Sequence, residues 1–218
     1  MKIFAVTNNY NSPESYPSPF GPGEIDWYEL PDSSILRSGN PFYVPDFDEE
    51  FRAYPSIAFR IGRLGKSIAP RFASRYIDRI GMGTAVIATG LLKQLRDKGA
   101  PWTRATAFDR SLLLGNLEPA DALLEKGMNF TVSCGGEKIN YASAYLQEDI
   151  DHIISRLSRD NTLKNGDIIL AGLTPRGLLL KPGTRLIALK EHENITYPDN
   201  LTSDAEASET HIASFSIK

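Results

Sequence analysis

Apolar side chains recur at every second position through residues 57–63, with Ile57, Phe59 and Ile61 on one face and Ala58 and Arg60 on the other. That period predicts a half-buried strand. Ile3-Phe4-Ala5-Val6 is short and continuously apolar and predicts a buried strand. Over 67–80 the spacing changes: Ile68, Phe72, Tyr76 and Ile80 fall four apart behind Ser67, which predicts a short helix with Ser67 as N-cap. Residues 86–99 predict a second helix through Leu91, Leu92 and Leu95, closed by Gly99 ahead of Pro101. Gly90 inside it costs about 1 kcal/mol relative to Ala. Ile150, Ile153, Ile154 and Leu157 carry helical spacing within 147–158.

The rest reads mostly as β. Asn129–Cys134 and Glu137–Asn140 flank Gly135-Gly136, the strongest hairpin signal in the chain. The run IILAGL after Gly166-Asp167, RLIALK after Pro182-Gly183 and the closing HIASFSIK predict further strands. Residues 7–50 hold half of the 14 prolines, and proline removes backbone donors and biases its predecessor to extended geometry. That segment is expected to form loops and short edge strands. The expected class is α+β, mainly β, in one domain over 1–218: a proline-rich N-terminal segment (1–50), a core (51–190) and a C-terminal extension (191–218).

Composition narrows the function classes. The chain is 41% hydrophobic and 23% charged with a net charge of −3, and its basic residues are interspersed with acids. No nucleic-acid partner is therefore expected. Cys134 is the single cysteine, so no intramolecular disulfide forms and a reducing compartment is expected. The start MKIFAVTNNYNS turns polar after six residues, and no apolar run approaches the roughly 18–20 residues that span a bilayer. The expected address is cytoplasmic, with no membrane partner.

Candidate chemistry is sparse. The 3 histidines, His152, His192 and His211, lie far apart, which argues against a His-based metal site. Asp46, Asp48, Glu49 and Glu50 cluster in PDFDEEF; their oxygens suit Mg²⁺ or Ca²⁺, but without a glycine-shaped loop the cluster reads as a solvated turn. Cys134 has no histidine beside it, and GMGTA at 81–85 lacks the third glycine of a dinucleotide loop.

A collinear set of pieces from about residue 2 to 190 says more: KIFAV…NNY at 2–10, PDSSIL at 31–36, GNPFYVPDFDEEF at 39–51, FRIGRLGKSIA at 59–69, RYIDRIGMGTA at 75–85, LLKQLRDKGAPW at 91–102, AFD at 107–109, the GGEKIN hairpin and GDIILAG at 166–172. Together they resemble the fumarylacetoacetate hydrolase family, especially its short bacterial, acylpyruvase-like members. The resemblance implies a mixed, mostly antiparallel β fold, usually a homodimer. It also implies Mg²⁺ or Mn²⁺ held by a Glu-x-Glu pair and an Asp, a water-activating His-Glu pair near the N-terminus, and a substrate-binding lysine. In this chain the metal positions hold Tyr54, Ser56 and Ala85, and an associated Arg and Asp become Thr89 and Gly90. The lysine becomes Thr106, and Pro13 stands in the segment of the His-Glu pair.

The sequence therefore leads to an expectation of a catalytically degenerate, metal-free relative with a binding, regulatory or assembly role and no cofactor. It would form a homodimer or a hetero-pair with an active paralogue. Its ligand-pocket candidates are Asn9, Tyr10, Tyr54, Ser56, Arg60, Phe108, Asp109, Thr174, Pro175 and Arg176, with a small carboxylate as the expected ligand. The alternative is a Mg- or Mn-dependent hydrolase or isomerase of acylpyruvates or other keto acids, cleaving a C–C bond, with its site relocated to Asp46, Asp48, Glu49 or Asp109. A third reading, metal-free chemistry on Tyr54, Asp109 and Arg60, has no positive support in the sequence.

Overall fold

The computed structural model describes residues 1–11, 18–21, 23–120, 124, 127–190 and 210–218. Its strands are β1 (Ile3–Thr7), β2 (Asp26–Leu30), β3 (Ile35–Arg37), β4 (Phe51–Ile61), β5 (Ile77–Ala88), β6 (Leu112–Pro119), β7 (Asn129–Cys134), β8 (Glu137–Ala142), β9 (Ile168–Ala171), β10 (Leu178–Leu179), β11 (Arg185–Lys190) and β12 (Thr210–Ser216). The helices are α1 (Pro70–Ala73), α2 (Thr89–Asp97), α3 (Thr103–Thr106) and α4 (Ile150–Asp160). One sheet runs β2-β1-β9-β4-β5-β6-β3 with β10 beside β4, and a second runs β12-β11-β7-β8. Only β1/β9 and β3/β6 pair in parallel among these strands. The fold is thus mainly β, mixed and mostly antiparallel, with a few short helices.

Both strands cut from the proline-rich segment, β2 and β3, sit at the edges of the large sheet. An edge strand needs only one set of backbone donors, so neighbouring prolines are tolerated there. Gly135 and Gly136 adopt φ of 57° and 89° and join β7 to β8 as the sequence suggests. The helix expected over 147–158 is α4, shifted to start at Ile150, with Asp149 as its N-cap accepting from the His152 amide.

Two expectations change. The strand expected over 57–63 begins at Phe51 and includes Pro55. The Pro55 carbonyl accepts from Thr174 N, and a strand residue aims both backbone groups the same way. The missing donor therefore falls in the gap between β9, which ends at Ala171, and β10, which starts at Leu178. The helix expected over 67–80 shrinks to α1 and a 3₁₀ turn at Ser74–Tyr76, because Ile77 already enters β5. Ser67 does not cap it, having φ of 51°.

The two sheets meet through a ring stack. Phe130 and Tyr10 lie on either face of Tyr141, each with centroids 4.7 Å away, and the Tyr141 hydroxyl donates to the Ala171 carbonyl at 2.9 Å. At the opposite end of β1, buried Asp167 accepts from the backbone amides of Lys2 and Lys164, each at 2.8 Å, and pairs with Lys2 Nζ at 3.3 Å. Those bonds start the parallel β1/β9 register. Asp167→Ala leaves two amides unpaired and is expected to cost about 2–3 kcal/mol, read as a lower urea midpoint with the slope unchanged.

Candidate active site

Strand alternation sets the site. Glu50, Arg52 and Tyr54 are two residues apart, so their side chains share one face at the start of β4. Helix α2 leaves the end of β5 alongside them, and its spacing lays Thr89, Lys93 and Arg96 on one side. Together with Pro19, Leu92 and Asp97 these residues line a cavity of about 530 Å³. A second cavity, of about 470 Å³, is lined by Phe20, Trp27, Trp102 and Arg156 among others. There Arg156 donates to Glu148 and to the Ile25 carbonyl. The first cavity holds the denser set of reactive groups.

Glu50 Oε1 accepts from Arg52 Nε at 2.9 Å and from the Thr89 hydroxyl at 2.7 Å. These two bonds, Arg52 first, hold its carboxyl below the usual carboxylate value. Arg52 also donates through Nη1 to the Gly177 carbonyl at 3.0 Å. Among the described residues nothing bonds to Glu50 Oε2 or Arg52 Nη2, which leaves one anionic acceptor and one cationic donor for a ligand. Arg96 donates to the Pro19 carbonyl at 2.7 Å, and Lys93 pairs with Asp97 at 2.7 Å in an exposed contact. Tyr54 is nearly buried; burial, opposed by Arg52 and reinforced by Glu50, pushes its phenol up to about 12.

Within the acidic PDFDEEF segment Asp46 and Glu49 are exposed, as a solvated turn requires, but Asp48 and Glu50 are engaged. Asp48 Oδ2 accepts from Leu91 N at 2.9 Å and so satisfies one of the free amides at the start of α2. A Cβ at residue 90 would stand 2.5 Å from Asp48 Oδ1, so Gly90 makes room for this cap. Of the relocated carboxylates named from the sequence, Asp48 is a structural cap, and exposed Asp109 does not line the cavity.

The other pocket candidates scatter. Asn9 is fully buried and binds the backbone of Glu148 through both ends of its amide, at 2.7 and 3.1 Å. The Tyr10 hydroxyl accepts from Ala142 N at 3.0 Å. Ser56 donates to the Ala171 carbonyl at 2.9 Å in the core. Arg60 pairs with Asp78 at the far end of β4, with Nε at 2.9 Å. Phe108 packs edge-on against Phe47 and Phe51. The Thr174 hydroxyl donates to the Arg176 carbonyl at 2.9 Å, with Pro175 between them, and Arg176 reaches Glu137 at 3.2 Å. Thr106 is buried, and its hydroxyl has no partner among the described residues. Pro13 lies outside the described residues. Only Tyr54 of the ten pocket candidates lines the cavity. Sequence reasoning missed Arg52, Lys93 and Arg96; the Glu50-Arg52-Tyr54 alternation was the available signal.

The positions that resemble the family's metal ligands do come together: Tyr54 pairs with Ala85, and Ser56 with Gly83, across β4/β5. What stands there does not fit Mg²⁺ or Mn²⁺. Such ions require several charged or strongly polar oxygens. Here a phenol keeps its proton, a serine hydroxyl is turned into the core, and Ala85 offers a methyl group. Among the described residues no three His, Cys, Asp or Glu side chains converge in a way that could hold a metal ion.

A long curled mixed sheet packed on a smaller one, with a cleft at the start of its central strand, defines the class by fold. The chain belongs to the fumarylacetoacetate hydrolase family: the Fumarylacetoacetate (FAA) hydrolase C-terminal model matches residues 2–198. It is 24% identical over 199 residues to the oxaloacetate tautomerase of Escherichia coli (strain K12), covering 89% of this chain and 90% of the relative. It is 26% identical over 186 residues to the mitochondrial oxaloacetate decarboxylase of Dictyostelium discoideum, covering 84% and 85%. The fold also matches the fumarylpyruvate hydrolase from Pseudomonas aeruginosa, solved in complex with Mn²⁺ and pyruvate. There the TM-score is 0.79 at 18% identity, over 100% of this chain and 89% of that one.

These findings overturn the expectation of a catalytically degenerate binding or assembly protein. Relatives aligned over most of the chain are named as enzymes, and nothing among them shows degeneracy. Loss of a familiar ligand set is weaker ground than it looked, since a fold can keep chemistry on other side chains. The alternative of a hydrolase or isomerase of keto acids fits the relatives' names better. No helix among the described residues is long and apolar enough to cross a membrane.

The Glu50 carboxyl is expected to titrate below 4.5 in a carbon-13 NMR titration, and to move back up in Thr89→Val. Its lowered value means that the network stabilises the fold above the unfolded-state pKa and loses that contribution as pH falls through the folded one. An unchanged titration in Thr89→Val would remove the hydroxyl as a cause.

Proposed function

We propose that the chain is an enzyme acting on small enolisable keto acids, and that its cleft moves a proton next to the keto group. The observation that carries this reading is the ionised Glu50, held by Arg52 and Thr89 on the wall of a cation-rich cleft. Its support from relatives is that the tautomerase, decarboxylase and hydrolase names all refer to keto acids. Enolisation is the step such substrates share.

Glu50 takes the proton from the carbon beside the carbonyl. The C–H electron pair becomes the C=C bond, and the carbonyl π pair moves onto oxygen. Returning the proton to that oxygen gives the enol; the reverse sequence restores the ketone, and no co-reactant is consumed. Arg52 binds the keto group or its neighbouring carboxylate from the same strand face. Lys93 and Arg96 hold a carboxylate from α2. The Lys93–Asp97 pair is an exposed surface contact of at most about 1 kcal/mol, so a substrate anion can exchange for it. The small carboxylate expected from the sequence is then the substrate. Because the residues at 54, 56 and 85 do not fit a divalent ion, none is assigned a part in this proton transfer. A single domain over 1–218 and a homodimer belong to the same reading.

The test is the keto–enol conversion of oxaloacetate, followed by the ultraviolet absorbance of the enol, in Mg²⁺ and again after EDTA. The expected result is turnover in both, with kcat lowered about 100-fold or more in Glu50→Gln at unchanged melting temperature. No turnover on oxaloacetate or an acylpyruvate in either condition would overturn the reading, and so would an unaffected Glu50→Gln.

A further inference from the structure

Tyr54 lines the cleft with Glu50, and a second buried phenol, Tyr28, lies on β2 outside that lining. Tyr28 on β2 is held by Phe20 and Trp102, with ring centroids 5.5 and 5.4 Å away. Its hydroxyl is buried and has no hydrogen-bond partner among the described residues. Tyr54 is 4% exposed and lines the cavity, and its hydroxyl likewise bonds to no described residue. The Tyr54 ring lies over Gly177, where an added Cβ would stand 2.7 Å from Cζ. Tyr54 lies within electrostatic reach of Tyr28, and also of Arg52 and Glu50.

Buried hydroxyls are paired as a rule, because leaving one unpaired forfeits its solvation. Tyr54 presents a hydroxyl without a partner among the described residues to the cleft that also holds Glu50 and Arg52, which points to an acceptor supplied by a ligand. The keto-acid reading supplies one: negative charge grows on the carbonyl oxygen as Glu50 removes the proton. A prepositioned neutral donor in a water-poor site is well suited to that charge. Burial keeps both phenols protonated, so both remain donors across the working pH range.

We propose that the Tyr54 hydroxyl donates the hydrogen bond that stabilises the enolate oxygen. This rests on the keto-acid reading, and its experiment is chosen to separate the two. Oxalate is a planar dianion that resembles the enolate, and its binding to the full chain is measured by titration calorimetry without any need for turnover. Tyr54→Phe is expected to weaken oxalate at least tenfold and to lower kcat about 100-fold with KM little changed. Tyr28→Phe keeps the ring and drops only an unpaired hydroxyl outside the cleft, so its melting temperature is expected to hold or rise with oxalate affinity and kcat unchanged.

Failure of wild-type chain to bind oxalate, or equal oxalate affinity and equal kcat in wild type and Tyr54→Phe, overturns the donor assignment while any measured keto-acid turnover stands. Tyr54-dependent oxalate binding without turnover supports the donor assignment and sinks the enzymatic reading instead.

Discussion

Strand β4 is bonded along both sides, to β5 over its whole length and to β9 and β10 in two separate stretches. A strand fixed in this way cannot slip, because a shift of one residue would swap its buried and cleft-facing side chains. The cleft inherits that rigidity. Arg52 and Tyr54 occupy one face because the ladder on either side leaves them no other, and Glu50, just before the strand, continues that face through the bond its carbonyl accepts from Thr89 N. Their positions are more sharply set than those of groups carried on a loop would be.

The acids near the cleft divide into two tasks. Asp48 takes one of the free amides at the start of α2, where a negative charge is also favoured by the helix dipole. That leaves Glu50 bound only by side chains, and these two hydrogen bonds keep it ionised at neutral pH. Both partners of the Arg52–Glu50 pair are about a third or more exposed, so the pair adds at most about 1 kcal/mol to stability. Its value is in orientation: the same guanidinium is tied to the Gly177 carbonyl, which fixes the plane of the fork.

Much of the fold could be read from the chain. The Gly135-Gly136 hairpin, the apolar Ile168–Ala171 strand and the proline-marked edges depend on local chemistry, which a sequence displays. What could not be read depends on neighbours. Spacing of four through Ile68, Phe72, Tyr76 and Ile80 suits a helix, but β5 takes over at Ile77, where its pairing with β4 and β6 outweighs local preference. Gly81 and Gly83 belong to that strand because an added Cβ would come within 2.4 Å of the Asn116 carbonyl and 2.5 Å of Leu170. Only the packed structure reveals that demand. The site followed the same rule. Tyr54 was named by its position, whereas Arg96 and Lys93 join the cleft through the course of α2. Asn9 and Ser56, which looked like pocket residues, are absorbed into backbone bonds.

The fit of the Tyr54 ring onto the bare backbone of Gly177 also limits how this protein could change by single steps. A carboxylate at position 54 would leave the space of an aromatic ring empty against that glycine, and a larger residue at 177 would strike the ring while it remains. Each replacement is costly alone, so an acidic residue at 54 would need both positions to change together. The two positions are coupled: what one tolerates depends on what stands at the other.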